Sequence, residues 1–209
     1  WYAHASVGCL HVRPIINLKN DLGRRQMRSI AEAAFQLVRE YKGSHSGEHG
    51  DGLVRSEFHS EMFGSRMVEI FREVKVSLDP DNRMNPGKII DPPKMDDREL
   101  FRFKPGYKSL NVNTKFDWSE WGGFAEAIEM CNNNGACRKS SPEVMCPSFR
   151  VTKNEQDLTR GRANALRLAI SGQLGPGALT SEEMAKTMSL CVGYKGCKRE
   201  CPTGVDMAK

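Results

Sequence analysis

Two periodicities divide the first half of the chain. In CLHVRPIINL apolar and polar positions alternate, so that Leu10 and Val12 share one strand face while His11 and Arg13 share the other. Pro14 argues against a long central strand. From Asp21 to Tyr41 the period turns helical, with Met27, Ile30, Ala31, Ala34, Leu37, Val38 and Tyr41 in one apolar stripe. Gly43 follows as the expected left-handed residue that closes the helix. A second amphipathic helix is predicted over 64–78, carrying Met67, Ile70, Phe71, Val74 and Leu78. The glycine-rich loop GSHSGEHGDG separates the two, and the turn residues of DPDNRMNPGKII end the unit.

From Asp91 to about Asp117 the pattern fades into polar text with Pro92, Pro93 and Pro105, as in a linker. Beyond it, FAEAIEM, LTRGRANALRLAISG and SEEMAKTMSL read as short helices between cysteine loops. The expected fold class is therefore α+β. An α+β domain over 1–90 is followed by a linker over 91–118 and a small all-α module over 119–209 stapled by metal.

Composition narrows the function. A charged fraction of 27% and a mean hydropathy of −0.54 are those of a soluble globular protein. The net charge of +5 is scattered and lacks an aromatic–basic repeat, which argues against nucleic acid as a partner. No apolar run reaches the roughly 20 residues of a membrane helix. Of seven cysteines, Cys9 stands alone and six lie between 131 and 201. An odd total with two Cys-Pro pairs favours metal ligation in a reducing compartment, the cytoplasm, over a disulfide framework. The opening WYAHASVG and the closing VDMAK both read as cut from a longer chain.

The candidate chemistry lies in two constellations. His4 and His11, seven residues apart, fall on opposite faces of a regular strand and converge only if the chain bends near Ser6-Val7-Gly8. Glu48 and His49 sit between Gly47 and Gly50, on backbone free to approach a ligand. Taken singly, each is equally readable as a satisfied polar residue or a solvated turn.

The motifs YAHASVGCLHVRP, GEHGDG and LDPDNRMNPGKII, in this order and spacing, resemble the C-terminal part of FAD-linked D-2-hydroxyacid dehydrogenases of the vanillyl-alcohol-oxidase type. The resemblance covers about residues 1–90 and is strongest to the long bacterial D-2-hydroxyglutarate dehydrogenases. The family's usual Gly before the first His and its GDGN are replaced here by Ala3 and by Ala5-Ser6-Val7-Gly8-Cys9. The resemblance implies a partial ferredoxin-like substrate or cap domain, with FAD held mainly by an N-terminal domain outside this sequence. It implies that His4, His11 and Glu48 ligate a divalent metal, zinc or manganese, and that His49 is the general base. Arg13 would clamp the substrate carboxylate, or else be a surface cation. Asn85 would approach the flavin, or else be a turn residue beside Pro86.

The six clustered cysteines form two similar halves, Cys131-x5-Cys137-x8-Cys146-Pro147 and Cys191-x5-Cys197-x3-Cys201-Pro202. Ferredoxin loops run C-x2-C-x2-C-x3-C-P, and the cysteine before proline serves the other cluster. That rule groups Cys191 and Cys197 with Cys146, and Cys131 and Cys137 with Cys201. Asn134 and Tyr194 occupy the middle-thiol positions. The stretches CNNNGACRK, MCPSF, TRGRANALR and KGCKRECP resemble the α-helical ferredoxin modules of succinate dehydrogenase and of fused FAD-linked dehydrogenases. Three states fit the residues: a cluster, [3Fe–4S] or [4Fe–4S], on three thiolates; structural zinc; or thiols without metal. Arg160, Arg162 and Arg167 either offset cluster charge or form a solvated basic face.

Together these imply the C-terminal portion of a flavin-dependent dehydrogenase for a small 2-hydroxyacid (lactate, glycolate or 2-hydroxyglutarate), passing electrons through an iron–sulfur centre to an unnamed acceptor. Homo-oligomerisation is compatible with it. The alternative is a non-catalytic metal-binding interaction module with structural zinc or degenerate cysteine sites.

Overall fold

The chain bends where two histidines need it to. In the computed structural model, which describes residues 2–139 and 145–209, β1 (Tyr2–His4) and β2 (Cys9–His11) form a two-stranded antiparallel hairpin. Its register pairs Tyr2 with His11 and His4 with Cys9. Paired residues in such a ladder project to the same face, so the hairpin carries both histidines to one side. The tight turn requires a left-handed residue, supplied by Gly8 at φ 63°.

α1 (Asp21–Glu40) starts where the Asn20 side chain accepts the Gly23 N–H at 2.8 Å. It ends one residue earlier than expected: Lys42, at φ 55°, is the left-handed residue, and Gly43 donates its N–H to Val38 O at 2.8 Å. The expected stripe is also rotated. Phe35 is buried and Met27, Ala31 and Val38 are half-buried, whereas Ile30, Leu37 and Tyr41 are exposed. Apolar periodicity marks two adjoining faces of this helix, and packing within the unit uses one. α2 (His59–Phe63) and α3 (Ser65–Leu78) follow, and Phe35, Phe58, Phe63, Phe71, His45 and His59 form a cluster of touching rings. After α3, Asp79 binds Lys75 and accepts the N–H groups of Met84 and Arg83, which hold its carboxyl down at about 2 and shape the loop leading to Asn85.

The chain divides into a unit ending at Gly106 and one beginning at Tyr107. Residues 91–118, expected as a linker, do not run free, because each end packs into its own unit. In the first, Met95 and Asp96 are buried, and Asp96 accepts Arg24 Nη1 at 2.5 Å and Arg28 Nε at 2.7 Å. Arg28 also reaches Glu57 at 2.8 Å, and Glu57 in turn accepts the Met95 N–H at 3.0 Å. The two arginines hold the Asp96 carboxyl below its ordinary range, partly against burial. Asp96→Ala should therefore take from both guanidiniums their shared buried carboxylate, leaving Arg28 with Glu57 and Glu32 and Arg24 with Asp21. Breaking a fully buried pair costs about 3–5 kcal/mol, and the partial solvent access of both arginines lowers the expectation to about 2–3 kcal/mol. Hydrogen exchange of the α1 amides in the full-length protein measures it. Unchanged protection would show that the network contributes nothing.

The second unit is helical: α4 (Phe124–Glu129), α5 (Pro147–Thr152), α6 (Thr159–Ile170), α7 (Glu182–Ser189) and α8 (Gly196–Glu200). At its start Tyr107 donates to Glu129 at 2.6 Å and Leu110 N–H to Ile170 O at 2.7 Å. α6 is its axis, with Leu158 just before it and Ala163 and Ile170 within it all at 0% exposure. Gly161 is obligatory there, since a Cβ would lie 1.9 Å from Glu155 O. Among the described residues no helix is long and apolar enough to cross a membrane.

Candidate active site and cysteine centre

The hairpin and the glycine-rich loop meet at Glu48. Its carboxylate lies 3.0 Å from His4 Nε2 and 3.1 Å from His11 Nε2. The ligand atoms of His4, His11 and Glu48 all fall within 4.8 Å of one another. Two imidazoles and a carboxylate at these spacings are a donor set suited to a zinc- or manganese-like ion with positions left open. His49 Nε2 is 3.0 Å from Glu48 Oε1, and its ring is 69% exposed. It stands at the open rim of the group. Ser46 Oγ donates to the His49 carbonyl and fixes the turn that presents it.

Two neighbours were not singled out by sequence. Tyr2 packs its ring 4.9 Å from that of His4 and 5.1 Å from that of His11. Cys9 Sγ lies 4.0 Å from His11 Nε2 and 3.0 Å from where a Cβ on Gly47 would sit, so Gly47 is what lets the loop approach. Pairing of His4 with Cys9 and of Tyr2 with His11 is the signal that could have found them. Arg13 is exposed, beyond the end of β2. Asn85 is exposed with φ 50°, its side-chain oxygen accepting Lys88 Nζ at 3.2 Å.

In the second unit all seven-residue Cys-x5-Cys loops fold alike. After Cys131, Asn133 and Gly135 are left-handed at φ 64° and 77°; after Cys191, Gly193 and Lys195 are left-handed at φ 63° and 60°. Alternating handedness turns successive N–H groups towards one concave side, which suits an anionic guest. Cys146, Cys191, Cys197, Tyr194 and Arg162 line one cavity, together with Thr159 and Met207. Cys146 Sγ accepts the Thr159 N–H at 3.1 Å, and Cys197 Sγ accepts the Met207 N–H at 3.3 Å. Cys131 and Cys201 adjoin a second small apolar cluster with Ala163 and Val205. Burial pushes the Cys137 thiol up to about 11, and pushes Cys197 up as well. At Cys201 burial acts the same way but is outweighed by the Thr203 hydroxyl and the N–H groups of Val205, Thr203 and Gly204, so its thiol is lowered. None of the seven cysteines, all among the described residues, is in a disulfide.

The arginines are not a solvated face. Arg162 is 2% exposed, donating to Thr187 O at 3.0 Å and Ser148 Oγ at 3.2 Å, and Arg167 is 9% exposed. The middle positions differ. Asn134 is exposed and uses its oxygen to accept the Ala136 N–H at 2.8 Å. Tyr194 faces the thiols, and burial, then the neighbouring Cys146, pushes its phenol up to about 12.

Residues 1–89 match the family model described as FAD linked oxidases, C-terminal domain, and residues 127–205 match that of the 4Fe-4S dicluster domain. Along the chain, a stretch similar to the FAD-linked oxidase C-terminal domain is therefore followed by one similar to the 4Fe-4S dicluster domain. Along 99% of its length it is 29% identical to the D-2-hydroxyglutarate dehydrogenase of Pseudomonas putida and, again over 99%, 28% identical to that of Escherichia coli. It spans 23% of the length of each. Over 42% of the chain it is 30% identical to a probable mitochondrial D-lactate dehydrogenase of Danio rerio, spanning 18% of that protein. No solved structure matches.

The oxidase domain so matched holds His4, His11, Glu48, His49 and Asn85, and the dicluster domain holds all six clustered cysteines. The helix-rich layout with one small hairpin agrees with the expected α+β class. In the dicluster domain, buried thiols with N–H donors and a buried arginine beside them fit an iron–sulfur guest.

Proposed function

We propose that the chain is the C-terminal part of a flavin-dependent dehydrogenase that oxidises a D-2-hydroxyacid, with 2-hydroxyglutarate the first candidate because relatives of that name align along almost the whole chain. The observation that carries the reading is the convergence of His4 and His11 on Glu48, with His49 at the rim. When bound, a divalent ion would acidify the substrate hydroxyl, FAD would take the hydride, and an iron–sulfur centre would carry electrons onward. The remaining work falls to side chains. His4, His11 and Glu48 hold the ion; His49 takes the hydroxyl proton at Nε2. Arg13, two residues from His11, would meet the substrate carboxylate, and Asn85 would approach the flavin. Cys146, Cys191 and Cys197 form one thiolate set; Cys131, Cys137 and Cys201 form the other. The ferredoxin-like character of both domains and a reducing cytoplasmic setting belong to the same proposal; thiols outside any disulfide support the setting.

The test is dye reduction by the full-length protein with D-2-hydroxyglutarate, D-lactate and glycolate, alongside flavin, iron, zinc and manganese analysis. The proposal expects turnover of one 2-hydroxyacid, with flavin, iron and a non-iron divalent metal present. Zinc at the cysteines, no flavin and no turnover would instead make the chain a metal-binding interaction module.

A further inference from the structure

The same loop carries a second group of metal-type donors that the proposed reaction does not use. His45 precedes Glu48 by three residues and Asp51 follows it by three; His59 begins α2. Asp51 Oδ2 lies 3.0 Å from His59 Nε2, and Asp51 Oδ1 lies 3.7 Å from His45 Nε2. All three residues offer a ligand atom within 4.8 Å of the others.

As bare protein this arrangement is poorly satisfied. The His45 side chain is 6% exposed, and neither of its ring nitrogens has a hydrogen-bond partner. Asp51 Oδ1 is likewise buried and without one. Unpaired buried polar atoms each cost about 1–3 kcal/mol, so three in one pocket call for an occupant. The walls are largely aromatic, beside the Arg55 backbone: Phe35 and Phe63 pack against the His45 ring at 5.8 and 5.9 Å, and Phe63 and Phe71 against the His59 ring at 5.4 and 6.1 Å.

His59 narrows the choice of occupant. Its Nδ1 lies 3.0 Å from Ile89 O, a backbone acceptor, so Nδ1 carries the proton. A neutral ring then aims the Nε2 lone pair at an Asp51 oxygen that is also an acceptor. A proton shared there would settle this one contact and leave His45 and Asp51 Oδ1 orphaned. A cation between the three groups takes one ligand atom from each, His45 Nε2 and Asp51 Oδ1 among them. In a tetrahedral zinc-like site, bonds of about 2.0–2.1 Å separate neighbouring ligand atoms by about 3.4 Å. The observed 3.0 and 3.7 Å bracket that spacing.

We propose that His45, Asp51 and His59 form a second divalent-cation site, of zinc-like preference, with water as the remaining ligand. Its role is structural. It ties both flanks of the loop bearing Glu48 and His49 to α2, and through His59 to the backbone at Ile89. The inference does not rest on the dehydrogenase reading, because it concerns ligation alone.

The test is metal analysis of the full-length protein from cells grown with zinc, counting non-iron divalent ions per chain, and visible spectroscopy after growth with Co2+. Asp51→Asn is the chosen variant. Its amide can donate to His59 Nε2, so that contact stays paired without an ion. His59→Gln serves as the second variant. The wild type should carry two ions, His11→Ala one, and Asp51→Asn or His59→Gln one. The cobalt protein should lose half its tetrahedral absorbance in Asp51→Asn, and exchange in the 43–58 backbone should rise in both variants. If Asp51→Asn and His59→Gln both keep the wild-type ion count, the site does not exist. If His11→Ala alone leaves the count unchanged, the catalytic-metal reading fails and this one stands.

Discussion

His11→Ala in the full-length protein is expected to release the ion at Glu48 and lower kcat by about 10³-fold or more, since acidification of the substrate hydroxyl goes with the ion. His4→Ala and Glu48→Ala should do the same, because each removes one of three ligands. His49→Ala is expected to behave differently. It should keep the ion and still lose about 10²- to 10⁴-fold in kcat, the usual contribution of a positioned base. The geometry motivates this contrast. Glu48 reaches both His4 and His11, whereas His49 meets Glu48 Oε1, lies beside the His11 ring at 6.2 Å and leaves most of its own ring in solvent. A ligand needs the first arrangement, and a base that meets successive substrates needs the second. Metal analysis beside steady-state kinetics checks it. Should His49→Ala empty the site while Glu48→Ala leaves it filled, the two residues have exchanged roles.

What made this site legible was a pair of loop motifs, and what hid part of it was pairing across a turn. Strand periodicity alone sets His4 and His11 apart; only the register Tyr2–His11 and His4–Cys9 puts them on one face, and register depends on the turn. Tyr2 and Cys9 join the site through that same register. His45, Asp51 and His59 stand in plain text, but their meeting depends on how the loop folds back onto α2, which no local spacing encodes. Helix existence was readable to within a residue or two for α1 and α3. The buried face of α1 was not, because Ile30, Leu37 and Tyr41 extend the apolar stripe beyond what the unit covers. The arginines of α6 show the opposite limit. A helix with three basic residues reads as solvated, yet Arg162 is paired inside with a backbone carbonyl and a hydroxyl. Only the partners, which are distant in sequence, make that burial tolerable.

Tyr194→Cys is expected to turn a weakly held iron–sulfur site into a firm one. In the wild type the cavity offers three thiols, Cys146, Cys191 and Cys197, with Tyr194 beside them. Three thiolates suffice for [3Fe–4S], while a fourth protein ligand is needed to hold the remaining iron of [4Fe–4S]. Tyr194 is poorly suited to supply it. Its phenol is pushed up to about 12, so the oxygen keeps its proton across the working range. Its ring also closes over Gly196, with its hydroxyl oxygen 2.4 Å from where a Cβ there would lie. Ligand thiols must lose their protons, so iron uptake releases protons and weakens as pH falls. Burial, which raises Cys197, adds to that dependence at this site. Anaerobic reconstitution of the full-length protein, with iron and sulfide analysis and EPR, tests all of this. The wild type should give a substoichiometric or [3Fe–4S]-type signal, with uptake rising as pH is raised. Tyr194→Cys should give a stable [4Fe–4S] centre on Cys146, Cys191, Cys197 and the new thiol, retained in air for longer. If the wild type takes up no iron and the substitution changes nothing, these thiols hold no cluster, and electrons leave the flavin by another route.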